Sequence, residues 1–400
     1  MSGPPRIDIR CSCGQVYHAD AAHAGRSIRC RCGNLLRIAP PARRAAPDPP
    51  PRQQGRSIHP GRLRPWIQTL RGSGRARGLV RILSWGYLAA VLGYTGILWL
   101  YGDSWWPANA LLFGPRWPAL VPAPFLGVGA VLVRPRLLGP LAAALLIALG
   151  PAMGYRIGWR TWFGTDSTRD IRLVTFNMRG EANPQALDLP VNLEPYGADI
   201  VAFQECDEGV GTGKRWPQGW TIRFDQGLCL ATRFPVVEAR QEDGVQVGDF
   251  GETGRAMLYR LRSPVGLVDL IVLHLETPRK GLESLRYGGD ASRMNPNLLV
   301  REIGARRISR WVRRQSGEAI VAGDFNMPVE SVIYRRYWGD CGNAFSSAGR
   351  GFGWTRVLRR FSVRIDHVLT CGGWRPIRAW VGAHLGSDHL PLIVDLVRVR

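Results

Sequence analysis

Between Leu79 and Gly102 the chain reads LVRILSWGYLAAVLGYTGILWLYG, and after Arg81 twenty-one residues pass without a charge. A helix of that length matches the hydrocarbon thickness of a bilayer. Such a run restricts the fold severely, because it is either a membrane span or half of a buried helical hairpin. Two neighbouring segments favour the membrane. The stretch 110–133, ALLFGPRWPALVPAPFLGVGAVLV, is apolar apart from Arg116 but broken by prolines, and Leu137–Tyr155, LLGPLAAALLIALGPAMGY, carries no charge. Residues 79–155 are therefore read as a helical membrane region of three spans, or of two if the proline-broken stretch stays out of the bilayer. Tyr and Trp near the end of the first stretch suit its interface.

Arginines orient this region. Arg71, Arg75, Arg77 and Arg81 surround the start of the first stretch, Arg134 and Arg136 separate the second from the third, and the loop GDSWWPAN has no basic residue. Basic short loops stay in the cytoplasm. The expectation is a multi-pass cell-membrane protein with a cytoplasmic N-terminus and, for three spans, an extracytoplasmic domain after Tyr155. Arg156 and Arg160 pull the other way, and two spans reverse the placement. Residues 1–160 hold 21 Arg against 4 acidic residues, whereas 161–400 hold 32 basic against 27 acidic, so most of the formal +22 belongs to the N-terminal part. Lys214 and Lys280 are the only lysines, which marks a compositional use of Arg and not the one-sided patch that nucleic-acid binding needs.

Residues 1–39 carry a second constraint. Cys11 and Cys13, then Cys30 and Cys32, form two Cys-x-Cys-Gly units. Two turns that each offer two thiolates, relaxed by Gly14 or Gly33, follow the plan of a zinc ribbon. The one-residue gap is shorter than usual, and disulfides or free thiols also fit the spacing. His18 and His23 are substitute ligands or surface residues. Zn2+ here serves folding and not catalysis, and a thiolate site suits a reducing cytosol. Residues 40–78, dominated by Pro, Arg and Gly, read as a disordered cationic linker.

From about 168 the pattern changes to short β-rich runs, among them IRLVTFNMRG, ADIVAFQE, LVDLIVLHLE, EAIVAGDFN, IDHVLT and DHLPLIVDLV. Helical spacing appears in 296–315, where Leu299, Ile303, Ile308, Trp311 and Val312 make an apolar stripe, and a short helix is expected at 187–196. Polar residues gather at strand ends: Asn177, Glu205, His274, Asp324 with Asn326, Asp366 with His367, and Asp388 with His389. Core packing gives no reason for that pattern. Strand rims on a rigid sheet are where chemistry is commonly built.

Through FNMRG, FQE, ATRFP, HLE, GDFN, RIDHVL and SDHLPL, taken in that order, residues 168–398 resemble the endonuclease/exonuclease/phosphatase superfamily. The resemblance implies an α/β fold, a four-layer sandwich of two packed mixed β-sheets flanked by helices. It also implies a metal-dependent phosphoric ester hydrolase using Mg2+ or Mn2+. Members include DNases, abasic-site endonucleases, inositol-phosphate phosphatases and sphingomyelin phosphodiesterases. By the same resemblance Glu205 is the main metal ligand, assisted by the amide oxygen of Asn177, and Asp388 approaches the metal. His389 transfers a proton or contacts the scissile phosphate, and Asp366 orients it. Asp324 handles the attacking water, Asn326 and His274 donate to phosphoryl oxygens, and attack is in line.

Other residues receive plainer readings. His367 points away from Asp366 and is structural, His384 lies in a loop, and Arg233 is either a phosphate contact or a packed surface residue. Cys206, Cys229, Cys341 and Cys371 either pair or stay as buried thiols, and no Cys–His pairing marks Cys206 as a nucleophile. The substrate is left between nucleic acid and a lipid headgroup or small extracytoplasmic phosphodiester. Anchoring favours the latter two, while RRISRWVRR and RRFSVR offer basic runs for the former. The contrasting class is a non-catalytic, membrane-tethered binding or signalling protein that works through its ribbon.

Overall fold

A computed structural model describes residues 6–39, 73–158, 168–207, 216–286, 294–315, 317–359 and 361–399. Most of the expected linker, residues 40–72, lies outside them. The chain divides into two compact units, 1–64 and 65–400.

The first unit holds two hairpins. Strand β1 (Arg6–Arg10) pairs with β2 (Val16–Asp20), and β3 (Ser27–Arg29) pairs with β4 (Leu35–Arg37), both antiparallel. Each pair of cysteines sits in the same tight turn. Gly14 N donates to Cys11 O and Cys11 N to Gln15 O; Gly33 N donates to Cys30 O and Cys30 N to Asn34 O. Gly14 and Gly33 take φ of 91° and 95°, a region open to glycine and strained for other residues.

The second unit begins with a helical bundle. Gly74–Tyr101 and Pro135–Ala152 are helical segments long and apolar enough to cross a membrane. Between them, Trp106–Leu112 and Trp117–Val133 form a pair bent by 76°. Pro107 and Pro118 open the helical turns on either side of the bend, where a missing N–H is tolerated. The first and third parts run parallel to each other, and the second runs antiparallel to both. Trp99 Nε1 donates to Pro151 O at 2.9 Å at one end, and Val80 packs beside Gly129 at the other. Ile82, Leu100, Phe125 and Leu146 are each at least two-thirds exposed, an apolar surface of the kind that meets lipid or a partner.

The rest of the unit is built on two six-stranded mixed sheets. Their strands are β5 (Ile171–Asn177), β6 (Ile200–Gln204), β7 (Thr221–Asp225), β8 (Leu228–Thr232), β9 (Val236–Glu242), β10 (Arg255–Ser263) and β11 (Gly266–His274). There follow β12 (Ala319–Asp324), β13 (Gly342–Asn343), the small hairpin β14 (Arg356–Val357) and β15 (Ser362–Val363), β16 (Asp366–Cys371), β17 (Trp374–Val381) and β18 (Leu392–Arg398). One sheet runs β17-β18-β5-β6-β8-β7 and the other β13-β16-β12-β11-β10-β9. Pairs β5–β6 and β11–β12 are parallel.

Leu173, Ile200 and Leu230 of the first sheet meet Tyr259, Leu270 and Ile320 of the second in one core. Helices cover the outer faces: Ile308, Val312 and Trp338 pack on Ile271 and Val321, and Leu189 and Leu193 on Val174 and Phe203. Burial on both faces explains why the central strands read as unbroken apolar runs. Each fully buried aliphatic side chain contributes about 1.5–3 kcal/mol.

The expected stripe of the helix Met294–Gln315 needs correction. Leu299 is 51% exposed, and the buried face is Leu298, Arg301, Ala305, Ile308 and Val312. The face is rotated because Arg301 points inward, where its guanidinium lies 3.8 Å from the Asp103 carboxylate and over the Phe113 ring. Asp103 follows the first apolar helix and also accepts from Ser331 Oγ. Leu98, Leu112 and Phe113 pack on Val363 and Ile365, so the helical bundle and the sandwich share buried contacts.

Candidate active site

The cleft forms where strands of both sheets end. His274 closes β11, Asp324 closes β12 and Asp366 opens β16, and register pairs His274 with Asp324 and Asp324 with Asp366. Such close packing of neighbouring strands requires Gly323. Its φ is 148°, and a Cβ there would lie 2.0 Å from Leu273 O. From the other sheet, Asn177 closes β5, and Glu205 follows β6.

The described non-glycine residues with left-handed backbone are Arg179, Glu205, Gln226 and Asn326, and all four line this cleft. Strain of that kind collects at functional sites. At Glu205 it turns the carboxylate out of the strand direction and into the cleft. At Asn326 it lets the backbone N–H donate to Asp324 Oδ1 at 2.8 Å.

The buried half of the site is a connected chain. His389 Nδ1 bonds Asp366 Oδ2 at 2.9 Å, and His389 Nε2 lies 3.8 Å from Asp324 Oδ2. Asp366 is braced by its own N–H, which donates to Thr355 Oγ1. Burial works against a charged His389, but the Asp366 and Asp324 carboxylates outweigh it and hold the imidazole up at about 9. For Asp366 burial again opposes the charged form, and the His389 charge and hydrogen bond keep the carboxyl below its usual range. Burial, reinforced by Asp366, pushes Asp324 up. Two carboxyls of unequal basicity thus flank one imidazolium, the arrangement by which acid and base roles are divided.

The open half holds the remaining residues. Asn177 Nδ2 donates to Glu205 Oε1 at 3.0 Å and to Asp324 Oδ2 at 3.1 Å. His274 Nε2 lies 3.7 Å from Glu205 Oε1 and 3.8 Å from Asp324 Oδ2. A family model described as the Endonuclease/Exonuclease/phosphatase family matches residues 174–389, which include every one of these side chains. The chain belongs to the endonuclease/exonuclease/phosphatase family. At that level it is a metal-dependent phosphoester hydrolase.

Solved structures similar to it include an endonuclease/exonuclease/phosphatase family protein from Bacteroides thetaiotaomicron, with 17% identity, a TM-score of 0.46, and coverage of 57% of this chain and 98% of that one. A mannosyl-6-phosphatase from the same organism has 15% identity, a TM-score of 0.41, and coverage of 57% and 99%. The human Nocturnin catalytic domain has 18% identity, a TM-score of 0.42, and coverage of 58% and 94%. No curated protein matches the chain.

The donors in the family cleft fit a hard cation. Glu205 is nearly half exposed and offers carboxylate oxygens to the open cleft, which suits Mg2+ or Mn2+ because such a cation keeps several waters. Asp324, Asp366 and His389 also bring three ligand atoms within 4.8 Å of one another. That trio is buried, however, and His389 and Asp366 already bond each other, so the open carboxylate suits a hydrated cation better.

Two expected details differ. Asn177 turns its amide nitrogen, not its oxygen, toward the carboxylates, and its oxygen accepts from Arg179 N. Asn326 Nδ2 donates to Leu275 O at 2.8 Å, so one of its protons is already used.

Asp388 lines the cleft with its carboxylate held by Arg356 at 2.8 Å, and Arg356 Nη1 also lies 2.9 Å from His389 Nε2, a contact that needs this nitrogen unprotonated and opens when the imidazole takes its second proton, which the Arg356 charge opposes. Arg356 stands in no motif, and the general excess of Arg hides it. His367 faces the other way, bonded to Met327 O at 2.8 Å and packed on Phe325 and Tyr334. Arg233 lies over Trp220, and His384 is exposed. Cys206 pairs with Cys229 and Cys341 with Cys371, which removes any thiol nucleophile from the family site.

The N-terminal cysteines form a separate candidate metal centre. The sulfurs of Cys11, Cys13, Cys30 and Cys32 all lie within 4.8 Å of one another. A tetrahedron with ~2.3 Å Zn–S bonds has edges of roughly 3.8 Å, which these sulfurs can meet. His18 instead pairs with Asp8 at the surface.

Proposed function

We propose that this chain is a membrane-anchored, Mg2+- or Mn2+-dependent phosphodiesterase that cleaves by in-line attack of water. The observation that carries the reading is the buried Asp366–His389 pair with Asp324 3.8 Å beyond it. Asp324, raised by burial, takes the proton of the attacking water. His389, held as imidazolium by two carboxylates, donates to the phosphoryl oxygens as charge develops, and Asp366 keeps its ring in place. His274, the second proton of the Asn326 amide and Arg356 add donors around the same position. Glu205, with Asn177 and Asp388 nearby, would hold the divalent cation, which would supply charge neutralisation at the phosphate.

The helical bundle supports three crossings, with the bent pair counted as one. Arg75, Arg77, Arg81, Arg134 and Arg136 then share one side, while Leu98, Phe113 and Met153 reach the sandwich on the other. Basic loops favour the cytoplasm, and the disulfides Cys206–Cys229 and Cys341–Cys371 favour an oxidising compartment for the sandwich. The four-cysteine unit, read as a Zn2+ ribbon, suits the opposite, reducing side. The enzymatic domain is read as a four-layer sandwich spanning 168–398, after a ribbon at 1–39, a linker at 40–78 and a membrane region at 79–155.

The full chain in detergent should hydrolyse bis(p-nitrophenyl) phosphate with Mg2+ and should be ranked on plasmid DNA, RNA, phospholipids and inositol phosphates. His389→Ala should lose at least about 10²-fold. Turnover that persists in EDTA, or full activity in His389→Ala, overturns the reading.

A further inference from the structure

A second cavity, of about 300 Å³, lies between the ends of the apolar helices and the sandwich and shares no lining residue with the catalytic cleft. Its size is at the lower end of small-ligand pockets. Trp117, Phe352, Trp354, Leu358 and Phe361 make most of its wall apolar. Trp117 and Trp354 are also well exposed, at 52% and 38%, as aromatic side chains at a membrane surface are.

The polar part of the wall is unbalanced. Two guanidinium groups, Arg116 and Arg364, face one carboxylate, Glu330. Arg116 takes that carboxylate at 3.1 Å and also donates to Ala152 O and Leu112 O at 2.7 Å each. Arg364 is 5% exposed. Its Nη2 reaches Ser346 Oγ at 3.3 Å, its plane lies over Phe345, and its Nη1 is buried with no hydrogen-bond partner. Burial pulls this guanidinium down to about 10, with Glu330 opposing the shift and Arg156 adding to it. A buried charge with an unmatched N–H is costly unless something pairs with it.

The cavity wall thus carries one more cation than anion beside an aromatic surface, a pairing that suits an anionic group attached to something apolar. A soluble phosphate would satisfy Arg364 but leave the aromatic wall against water. We infer that the cavity binds an acidic membrane lipid, its anionic group on Arg364 and its chain along Trp117, Phe352, Trp354 and Phe361. The inference goes beyond the hydrolase reading and rests only on the membrane placement of the helices.

Native mass spectrometry of the full chain in neutral detergent, equilibrated with equal amounts of phosphatidylglycerol and phosphatidylcholine, tests it. One phosphatidylglycerol should be retained with a preference of about tenfold or more, and millimolar inorganic phosphate should not displace it. Arg364→Gln should bring the preference to about unity. Because loss of a buried arginine can prevent folding, Leu358→Glu, which puts a carboxylate at the cavity wall, should do the same. Equal retention of the two lipids, an undiminished preference in a folded variant, or displacement by inorganic phosphate overturns the lipid site and leaves the hydrolase reading standing. Release of the full chain from membranes by an alkaline wash overturns the membrane placement, and with it this site.

Discussion

His389 and Asp366 share a hydrogen bond of 2.9 Å between two side chains that are each 1% exposed. Because Asp366 and Asp324 hold the imidazole up at about 9, it is charged at neutral pH. Activity that needs the imidazolium should fall as pH rises through that value. Asp366→Asn keeps the shape but removes one supporting charge, so the alkaline limb of kcat should move down toward the ordinary histidine range near 6.5. The same variant should lose about 10²-fold in kcat or more. A limb that stays in place separates His389 from the chemistry.

Much of this centre was legible in the chain because strand ends are short and polar against long apolar runs. Asn177, Glu205, His274, Asp324, Asn326, Asp366, Asp388 and His389 all meet at or beside one cleft. What periodicity could not give was anything set by distant pairing. Arg301 lies off the apolar stripe that periodicity draws on its helix, yet it is buried because Asp103, almost 200 positions earlier, matches its charge inside. The two disulfides had no spacing signature, since Cys229 and Cys371 belong to strands whose partners are fixed only by sheet order. Left-handed backbone at Glu205 was also invisible, because glutamate does not announce it as glycine and, more weakly, asparagine do.

Glu205 and Asp388 should respond differently to removal. Glu205 projects into the cleft with oxygens available to a cation, whereas Asp388 is tied to Arg356. Glu205→Ala should raise the Mg2+ concentration for half-maximal activity by at least about 10-fold, in the range that loss of a metal-site contact produces. Asp388→Asn should move that concentration less and lower kcat instead, by releasing Arg356 from beside His389. Magnesium titrations of the two variants decide between these roles, and identical responses would put both carboxylates on the metal.

Gly323 should tolerate no side chain. A Cβ at its φ of 148° meets the Leu273 carbonyl at 2.0 Å, and that carbonyl belongs to the neighbouring strand. Backbone strain and overpacking each cost about 1–3 kcal/mol. Gly323→Ala should therefore lower unfolding free energy by about 3 kcal/mol in a denaturant titration and should displace Asp324. A loss under 1 kcal/mol would mean that β11 and β12 separate easily.

His367 should make the sandwich acid-sensitive. Burial, with Arg364 adding to it, pushes this imidazole down to about 3, so it is neutral in the fold and gains a proton on unfolding near 6.5. Its folded value is depressed, so its contribution is complete above pH 6.5 and is lost as pH falls from there toward 3. The shift corresponds to roughly 3–5 kcal/mol over that window. In a histidine-detected NMR titration its ring should remain neutral at pH 4.5, and a midpoint near 6 would contradict the buried assignment.

The cysteines offer a test of sidedness. Cys206–Cys229 and Cys341–Cys371 are disulfides inside the sandwich, while Cys11, Cys13, Cys30 and Cys32 carry free thiols. If the sandwich matures in an oxidising compartment, its four cysteines should resist maleimide labelling until reduced, in membranes solubilised under denaturing conditions. The N-terminal four should label without reductant once zinc is chelated. Replacing Cys341 and Cys371 together by Ser should cost about 2–4 kcal/mol of stability, since the 30-residue separation leaves a sizeable loop to be closed without the link. Equal labelling of all eight cysteines without reductant would place the sandwich in the cytosol. The bent pair Trp106–Leu112 and Trp117–Val133 would then have to return to the side it entered from, leaving two crossings in place of three.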